Sequence, residues 1–235
     1  MPPPLAPELR HQDPAFVQGV FDRIAPCYDL TNSLLCAGCD LLWRRRVAAL
    51  VRSWAPREIL DLATGSGVLA EAIQGLNPDA VITGVDFSPA MLHQARLHRG
   101  MRRLLVADAL HLPLRDASFD VVTVAFGLRN MASWPSALAE MQRVLRTGGH
   151  VVVLDFSLPT GWLREPYRFY LHRVLPRLAR LISSEREGYE YLAESIESFP
   201  SGAAMLDLLA AAGFRNCEAR PMTAEIVSLY QGEKA

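Results

Sequence analysis

A polypeptide of 235 residues, half of them hydrophobic and 21% charged, is long enough to bury a substantial core, and its net charge of −1 supplies no general cationic field for a polyanion. Nucleic-acid binding through bulk electrostatics is excluded on that balance, and no nucleic-acid partner is expected. No run approaches the ~18 apolar residues that cross a bilayer. The Pro-rich start carries nothing like a signal peptide, so the expectation is a cytoplasmic protein with a flexible N-terminus over 1–15 and a single domain over 16–235.

Residues 16–51 read as helices broken at Pro26 and Asn32, expected to cover an edge of a sheet. Three of the four cysteines, Cys27, Cys36 and Cys39, fall here. A lone CxxC pair, with no second pair and no His at ligand spacing, argues for reduced thiols, and no metal is expected. From Arg57 onward short β-branched runs, at 58–63, 80–86, 104–108, 119–125 and 150–156, alternate with helical patterns at 68–75, 89–98 and 135–145. That alternation is the signature of βα units in a parallel sheet. Pro89 and Pro135 suit a first helical turn, with Ser88 and Trp134 just before them. A helical insertion over about 158–200 follows the fifth strand, and the sequence ends with a helix at 203–212 and strands at 216–220 and 225–230.

The strongest local signal is a strand ending in Asp61, then Gly65-Ser66-Gly67-Val68-Leu69-Ala70 and a helix. Glycines at this spacing let backbone approach a nucleotide-like ligand, and the crevice at the strand ends is where such ligands sit. Asp86, ending the next strand roughly 20 residues on, suits a carboxylate that accepts hydrogen bonds from ribose hydroxyls. A dinucleotide and S-adenosylmethionine remain open on these two features. Asp108-Ala109 after the third strand places a carboxylate where an adenine amino group would lie, and the Thr147-Gly148-Gly149 turn opening the fifth strand is common in methyltransferases.

Four ordered segments then carry a specific resemblance. Tyr28-Asp29-x-x-Asn32 continuing to Trp43-Arg44, Phe126-Gly127-Leu128-Arg129-Asn130, Arg143-Val144-Leu145-Arg146-Thr147-Gly148-Gly149 running on to Asp155-Phe156-Ser157, and Tyr189-x-Tyr191-Leu192-Ala193-Glu194-Ser195-Ile196 resemble the quinone C-methyltransferases of menaquinone and ubiquinone biosynthesis. The resemblance implies a Rossmann-like class I methyltransferase of α/β class, with a mostly parallel seven-stranded sheet, helices on both faces and an N-terminal helical cover. It also implies S-adenosylmethionine as cofactor, S-adenosylhomocysteine as product, and a small aromatic, prenylated acceptor such as demethylmenaquinol or a ubiquinol precursor. The cofactor residues carried over are Asp61, Ala63, Gly65, Ser66, Gly67, Asp86, Phe87, Asp108, Ala109 and Ala125, the last standing where some members have serine. Departures from the family pattern at Thr31, Cys36, Asp40, Thr147, Asp155, Ala224 and Glu225 bear on the acceptor. They keep open a methyltransferase for another small molecule, and a non-catalytic binding partner stands as the reading from a different class.

A ring carbon ortho to a phenol attacks well once that phenol is ionised, and a phenol resembles Tyr with a pKa near ~10. Arg129 is expected to favour the phenolate, Asn130, Tyr28 and Asp29 to orient the ring oxygens, and Asp29 to act as base. The competing reading has Arg129 and Asn130 tying down the loop after the fourth strand. His93, His98 and His111 read as solvated, and Glu194 with Ser195 as a helix-surface pair, with a place in the lining of the acceptor pocket as the alternative. Residues 161–186 hold six Arg against two Glu, a local +4. With Arg173, Arg177 and Arg180 on one helical face and Tyr170, Leu171, Val174, Leu178, Leu181 and Ile182 on another, this segment reads as a lid packed on the sheet. Peripheral contact with an inner-membrane surface is the alternative, and self-association stays open.

Overall fold

The computed structural model describes residues 17–19, 22–23, 25, 36, 38–175, 177 and 186–235. Seven strands form one sheet: β1 (Glu58–Leu62), β2 (Val81–Asp86), β3 (Leu104–Val106), β4 (Phe119–Ala125), β5 (Leu145–Phe156), β6 (Phe214–Met222) and β7 (Val227–Lys234), in the order β3-β2-β1-β4-β5-β7-β6. The first five pair in parallel and β7 runs antiparallel to both β5 and β6. The order reverses between β1 and β4, the switch point at which the carboxyl ends of parallel strands leave a crevice.

Alternation along the strands sends side chains to two covered faces. On one, Leu60, Leu62, Val122, Val124, Val151 and Val153 pack against Leu138 and Met141 of α4 (Trp134–Val144) and Met205 and Leu209 of α7 (Ala203–Ala211). On the other, Ile59, Val121 and Val152 pack against Val47 and Val51 of α1 (Cys39–Ser53) and Leu69 and Ile73 of α2 (Val68–Leu76). The N-terminal helix therefore covers a face of the sheet and not its edge. The reason is the stripe Trp43, Val47, Ala48, Val51, all buried at helical spacing, which needs the broad apolar surface of β1, β4 and β5. α3 (Pro89–Arg99) lies beside α2 against β2 and β3.

Two local expectations change. The start of α4 is capped by Ser133, whose hydroxyl accepts from the Ser136 amide at 3.3 Å, and Trp134 is already helical. A hydroxyl satisfies an orphan amide where an indole cannot. The Thr147-Gly148-Gly149 segment is a bulge inside β5, not a turn before it: the register with β4 steps from Phe119↔Leu145 to Val121↔His150.

The insertion runs through α5 (Arg164–Phe169), a π-helical turn at Tyr170–Val174 and, further on, α6 (Arg186–Ser198). Leu171 and Leu175 are buried against Ala193 and Ile196, so this part of the apolar stripe packs on the protein. Leu178, Arg180, Leu181 and Ile182 lie outside the described residues. Among the described residues no helix is long and apolar enough to cross a membrane.

Leu138 is fully buried between α4 and the central strands. Leu138→Ala should cost about 2–5 kcal/mol in unfolding free energy, read from urea titration with an unchanged slope.

Candidate functional site

Beyond β1 the backbone passes through Ala63, Gly65 and Gly67, with φ of 50°, 57° and 85°, before α2 begins. A β-carbon on Gly67 would stand 2.7 Å from Met101 Sδ and one on Gly65 3.2 Å from Met91 Cε. Backbone conformation and close packing together require bare backbone here. Asp86, at the end of β2, ties the turn down: its Oδ2 accepts from the Gly65 amide at 2.7 Å and its Oδ1 from the Ser88 amide at 2.9 Å. Burial pushes its carboxyl up to about 6 against those amides.

Asp61 does a similar job one strand away. Its Oδ2 accepts from the Thr64 hydroxyl and its Oδ1 from the Thr123 hydroxyl of β4, each at 2.6 Å. It is 1% exposed, and burial pushes it too up to about 6.

Two chambers open at these strand ends. The larger is bordered by Ala63, Gly65, Asp86, Phe87, Asp108 and Ala109 together with Phe126, Gly127, Asn130 and Met131. The smaller is lined by Arg44, Asp61, Thr64 and Ser66 among others, and shares Ala63, Gly65 and Ala125 with the larger. All the sequence-derived cofactor residues except Gly67, which shapes the turn, thus border one of the two. A carboxylate at the second strand end, bare glycine backbone and a largely apolar wall fit an adenosyl group chemically. Asp108 Oδ1 accepts from the Leu110 amide at 2.9 Å, which fixes the carboxyl at the chamber wall.

The expected catalytic residues separate. Asn130 faces the larger chamber, and its Nδ2 donates to the Phe126 carbonyl at 3.3 Å. Arg129 does not line it. It is 9% exposed, donates to the Phe126 carbonyl at 2.6 Å and to Asp155 Oδ1 at 2.7 Å, and lies 5.3 Å over the Phe156 ring. Its backbone amide also donates to Asp155 Oδ2, at 3.3 Å. Asp155 is fully buried, and that burial pushes its carboxyl up against the pull of Arg129. Loop-tying contacts are thus present at both residues. Tyr28, Asp29 and Thr31 lie outside the described residues.

Phe126 and Phe156 pack at 4.8 Å between centroids, with Trp43 against both. The Arg44 guanidinium sits 5.3 Å over Phe126, as Arg129 sits over Phe156. Burial and Asp40 push the Cys36 thiol up to about 11, with Arg44 and Arg129 pulling the other way. Burial likewise pushes the Tyr167 phenol up, Tyr170 and Cys36 adding to it. Cys36, Tyr167 and Arg129 are therefore electrostatic neighbours, drawn from the N-terminal segment, the insertion and the loop after β4.

Sequence reasoning missed Thr64, Thr123 and Tyr167, and quoted Arg44 without a role. The available signal was Asp40 and Arg44 at helical i,i+4 spacing beside a tryptophan. Ser195 is buried, its hydroxyl bonded to the Leu192 carbonyl at 2.9 Å, which corrects its reading as helix surface. Glu225 Oε2 accepts from the Thr160 amide at 2.9 Å and hydroxyl at 2.7 Å, so one departure fastens the start of the insertion.

The profile of the ubiE/COQ5 methyltransferase family matches residues 8–234. The protein belongs to this family. Demethylmenaquinone methyltransferase of Thermus thermophilus is 46% identical over 220 residues, covering 92% of this protein and 100% of the relative. That of Deinococcus radiodurans is 43% identical over 223 residues, covering 93% and 92%. Among solved structures, an S-adenosylmethionine-dependent methyltransferase of Thermotoga maritima superposes with a TM-score of 0.65 at 19% identity, covering 93% of this protein and 100% of that one, a likeness of fold. This ubiE/COQ5 family member is an S-adenosylmethionine-dependent methyltransferase.

The half-buried Asp86 gives a pH signature. Its folded carboxyl titrates near 6 and its unfolded one near 3.8, so the folded state holds the proton more tightly. The stabilising contribution is full below the unfolded value and is lost as pH rises through about 6. In urea titrations across this range, Asp86→Asn should gain on the parent as pH rises, whatever constant offset the lost carboxylate bond introduces. A difference independent of pH would remove Asp86 as the titrating group.

Proposed function

We propose that this protein methylates a ring carbon of a demethylmenaquinol-type quinol, with the adenosyl part of S-adenosylmethionine in the larger chamber. The observation that carries the reading is that Phe126, Gly127 and Asn130 of the loop after β4 border the same chamber as Asp86 and the glycine turn. One cavity joins the nucleotide-type wall to the loop that marks the family. The curated relatives support the acceptor class, being named for demethylmenaquinone.

When bound, S-adenosylmethionine supplies an electrophilic methyl group on a sulfonium. The protein's residues bring an aromatic carbon in line with it and exclude water, and positioning of this kind is worth about 7–11 kcal/mol at best. Asp86 takes the ribose hydroxyls, Asp108 with Ala109 the adenine edge, and Phe87 covers the base. The acceptor carbon would gain the methyl group as the sulfur–methyl bond is lost, and the proton displaced from that carbon would pass to solvent, which restores the aromatic ring. Tyr28 and Asn130 orient the ring oxygens, and Asp29 takes the phenolic proton.

Arg129 is a positioning residue in this reading. Its charge is matched by Asp155 at 2.7 Å, which leaves less net field for a phenolate than a lone guanidinium would give. Holding the Phe126 carbonyl and Asp155 together, it sets the loop that presents Asn130. Arg129→Ala would strand a buried carboxylate, at about 3–5 kcal/mol of stability. Arg129→Lys is the informative change: kcat should fall about 10- to 100-fold with affinity for S-adenosylhomocysteine unchanged. Equal turnover would remove Arg129 from the mechanism. The function itself is tested with labelled S-adenosylmethionine and a panel of demethylated quinols read by mass spectrometry. Methylation of demethylmenaquinol on ring carbon is expected, and transfer only to other acceptors would overturn the assignment.

The same reading includes peripheral contact with an anionic membrane, where a prenylated quinol resides. Trp162 and Phe169 are 82% and 64% exposed, and Arg164, Arg173 and Arg177 of the same segment are exposed too. Exposed aromatic side chains in an Arg-rich segment suit the interface of an anionic bilayer. Co-sedimentation with vesicles containing anionic lipid should exceed that with zwitterionic vesicles, and Trp162→Ala with Phe169→Ala should abolish it. Equal recovery with both vesicle types would sink the membrane contact.

A further inference from the structure

The start of α1 carries two thiols that methyl transfer does not use. Cys36 and Cys39 are free and both half-buried. The Cys39 amide donates to the Cys36 carbonyl at 2.9 Å, which closes a turn between them, and Gly38 takes the left-handed conformation there, with φ of 75°. A turn closed by an i to i+3 hydrogen bond keeps its end α-carbons within about 7 Å, the range that a disulfide spans. No described atom lies within 4 Å of a β-carbon placed on Gly38, so the turn is open on that side. Cys36 is also one of the positions at which this protein departs from the family pattern.

The pair lies toward the loop after β4. Both cysteines pack on the buried cluster that includes Trp43 and Phe126, and Phe126 borders the larger chamber. Cys36 is an electrostatic neighbour of Arg129 and Tyr167. Methyl transfer to a ring carbon needs the electron-rich quinol, because the quinone is itself an electrophile and does not attack a sulfonium. A reduced dithiol beside an acceptor with two oxidation states has a two-electron partner.

We propose that Cys36 and Cys39 form a dithiol that reduces the quinone form of the acceptor to the quinol that is then methylated. The inference rests on the quinol reading above and adds a second activity to the same site. The Cys39 sulfur bonds to a quinone carbonyl carbon, and the Cys36 sulfur then attacks the Cys39 sulfur. The carbon–sulfur bond breaks, its electron pair passes into the ring, and the two thiol protons end on the two ring oxygens. Two thiols become one disulfide as the quinone gains two electrons and two protons. A small dithiol returns the disulfide to the reduced pair by exchange. Burial and Asp40, which push the Cys36 thiol up to about 11, suit it to the second step, where it keeps its proton until the ring takes it.

The test is a single turnover without oxygen. Reduced protein, freed of small thiols, is mixed with an equal amount of a demethylated prenyl naphthoquinone, and the quinol is followed by absorbance. About one quinol per protein should form, and the peptide holding Cys36 and Cys39 should lose two hydrogens by mass. Cys36→Ser and Cys39→Ser should each form roughly 10-fold less quinol. With labelled S-adenosylmethionine present, the parent should methylate starting from the quinone. The variants should do so only when the quinol is supplied chemically reduced, and then at the parent's rate. Equal quinol yields from parent and variants, a stable thioether in place of the disulfide, or variants that fail on chemically reduced quinol as well would overturn the dithiol. A parent that reduces the quinone but does not methylate chemically reduced quinol would overturn the acceptor reading and leave the thiol chemistry in place.

Discussion

The hydrogen bond from the Gly65 amide to Asp86 is the constraint on which the rest of the site depends. It joins the turn after β1 to the end of β2 at 2.7 Å, and so fixes a run of left-handed residues that no regular element would hold. A half-buried carboxylate is a costly anchor, as its upward shift records, and its oxygens accept from two protein amides at the edge of the cleft. Asp61 repeats the arrangement between β1 and β4 through two threonine hydroxyls. Together the two acids set the spacing of three strand ends.

Behind that framework the protein handles positive charge by pairing and stacking. Arg44 with Asp40 and Arg129 with Asp155 each combine a short ion pair with a phenyl face, and the two phenyl rings touch. In a low-dielectric interior such pairs contribute little net stability against an apolar alternative, but removing one partner is costly. Their value lies in orientation: each guanidinium is held in one pose, one beside the small chamber and one beneath the loop that carries Asn130.

Much of this is legible in the sequence because strand alternation and the glycine turn are local signals. β4 is recovered to the residue, and the glycine turn with Asp86 and Asp108 is readable from spacing alone. What escapes requires three dimensions. Thr123 reads as an ordinary β-branched strand residue until its neighbour on the same sheet face proves to be Asp61. Arg44 sits in a run of three arginines on α1, and only the direction of the helix separates the buried one from Arg45 and Arg46, which are exposed. The bulge in β5 reads as a turn because Gly148 and Gly149 look alike in both; Gly149 is there because a β-carbon would stand 2.8 Å from the Arg146 carbonyl.

At Gly127 an added β-carbon would lie 2.4 Å from that of Ala63, where the ends of β4 and β1 meet at the floor of the cleft. The position is closed to every residue larger than glycine, and Ala63 has no room to grow toward it. Whatever is bound in the cleft must therefore be accommodated by the other residues that border it, such as Asp108, Asn130 and Met131, whose side chains have room to differ in shape.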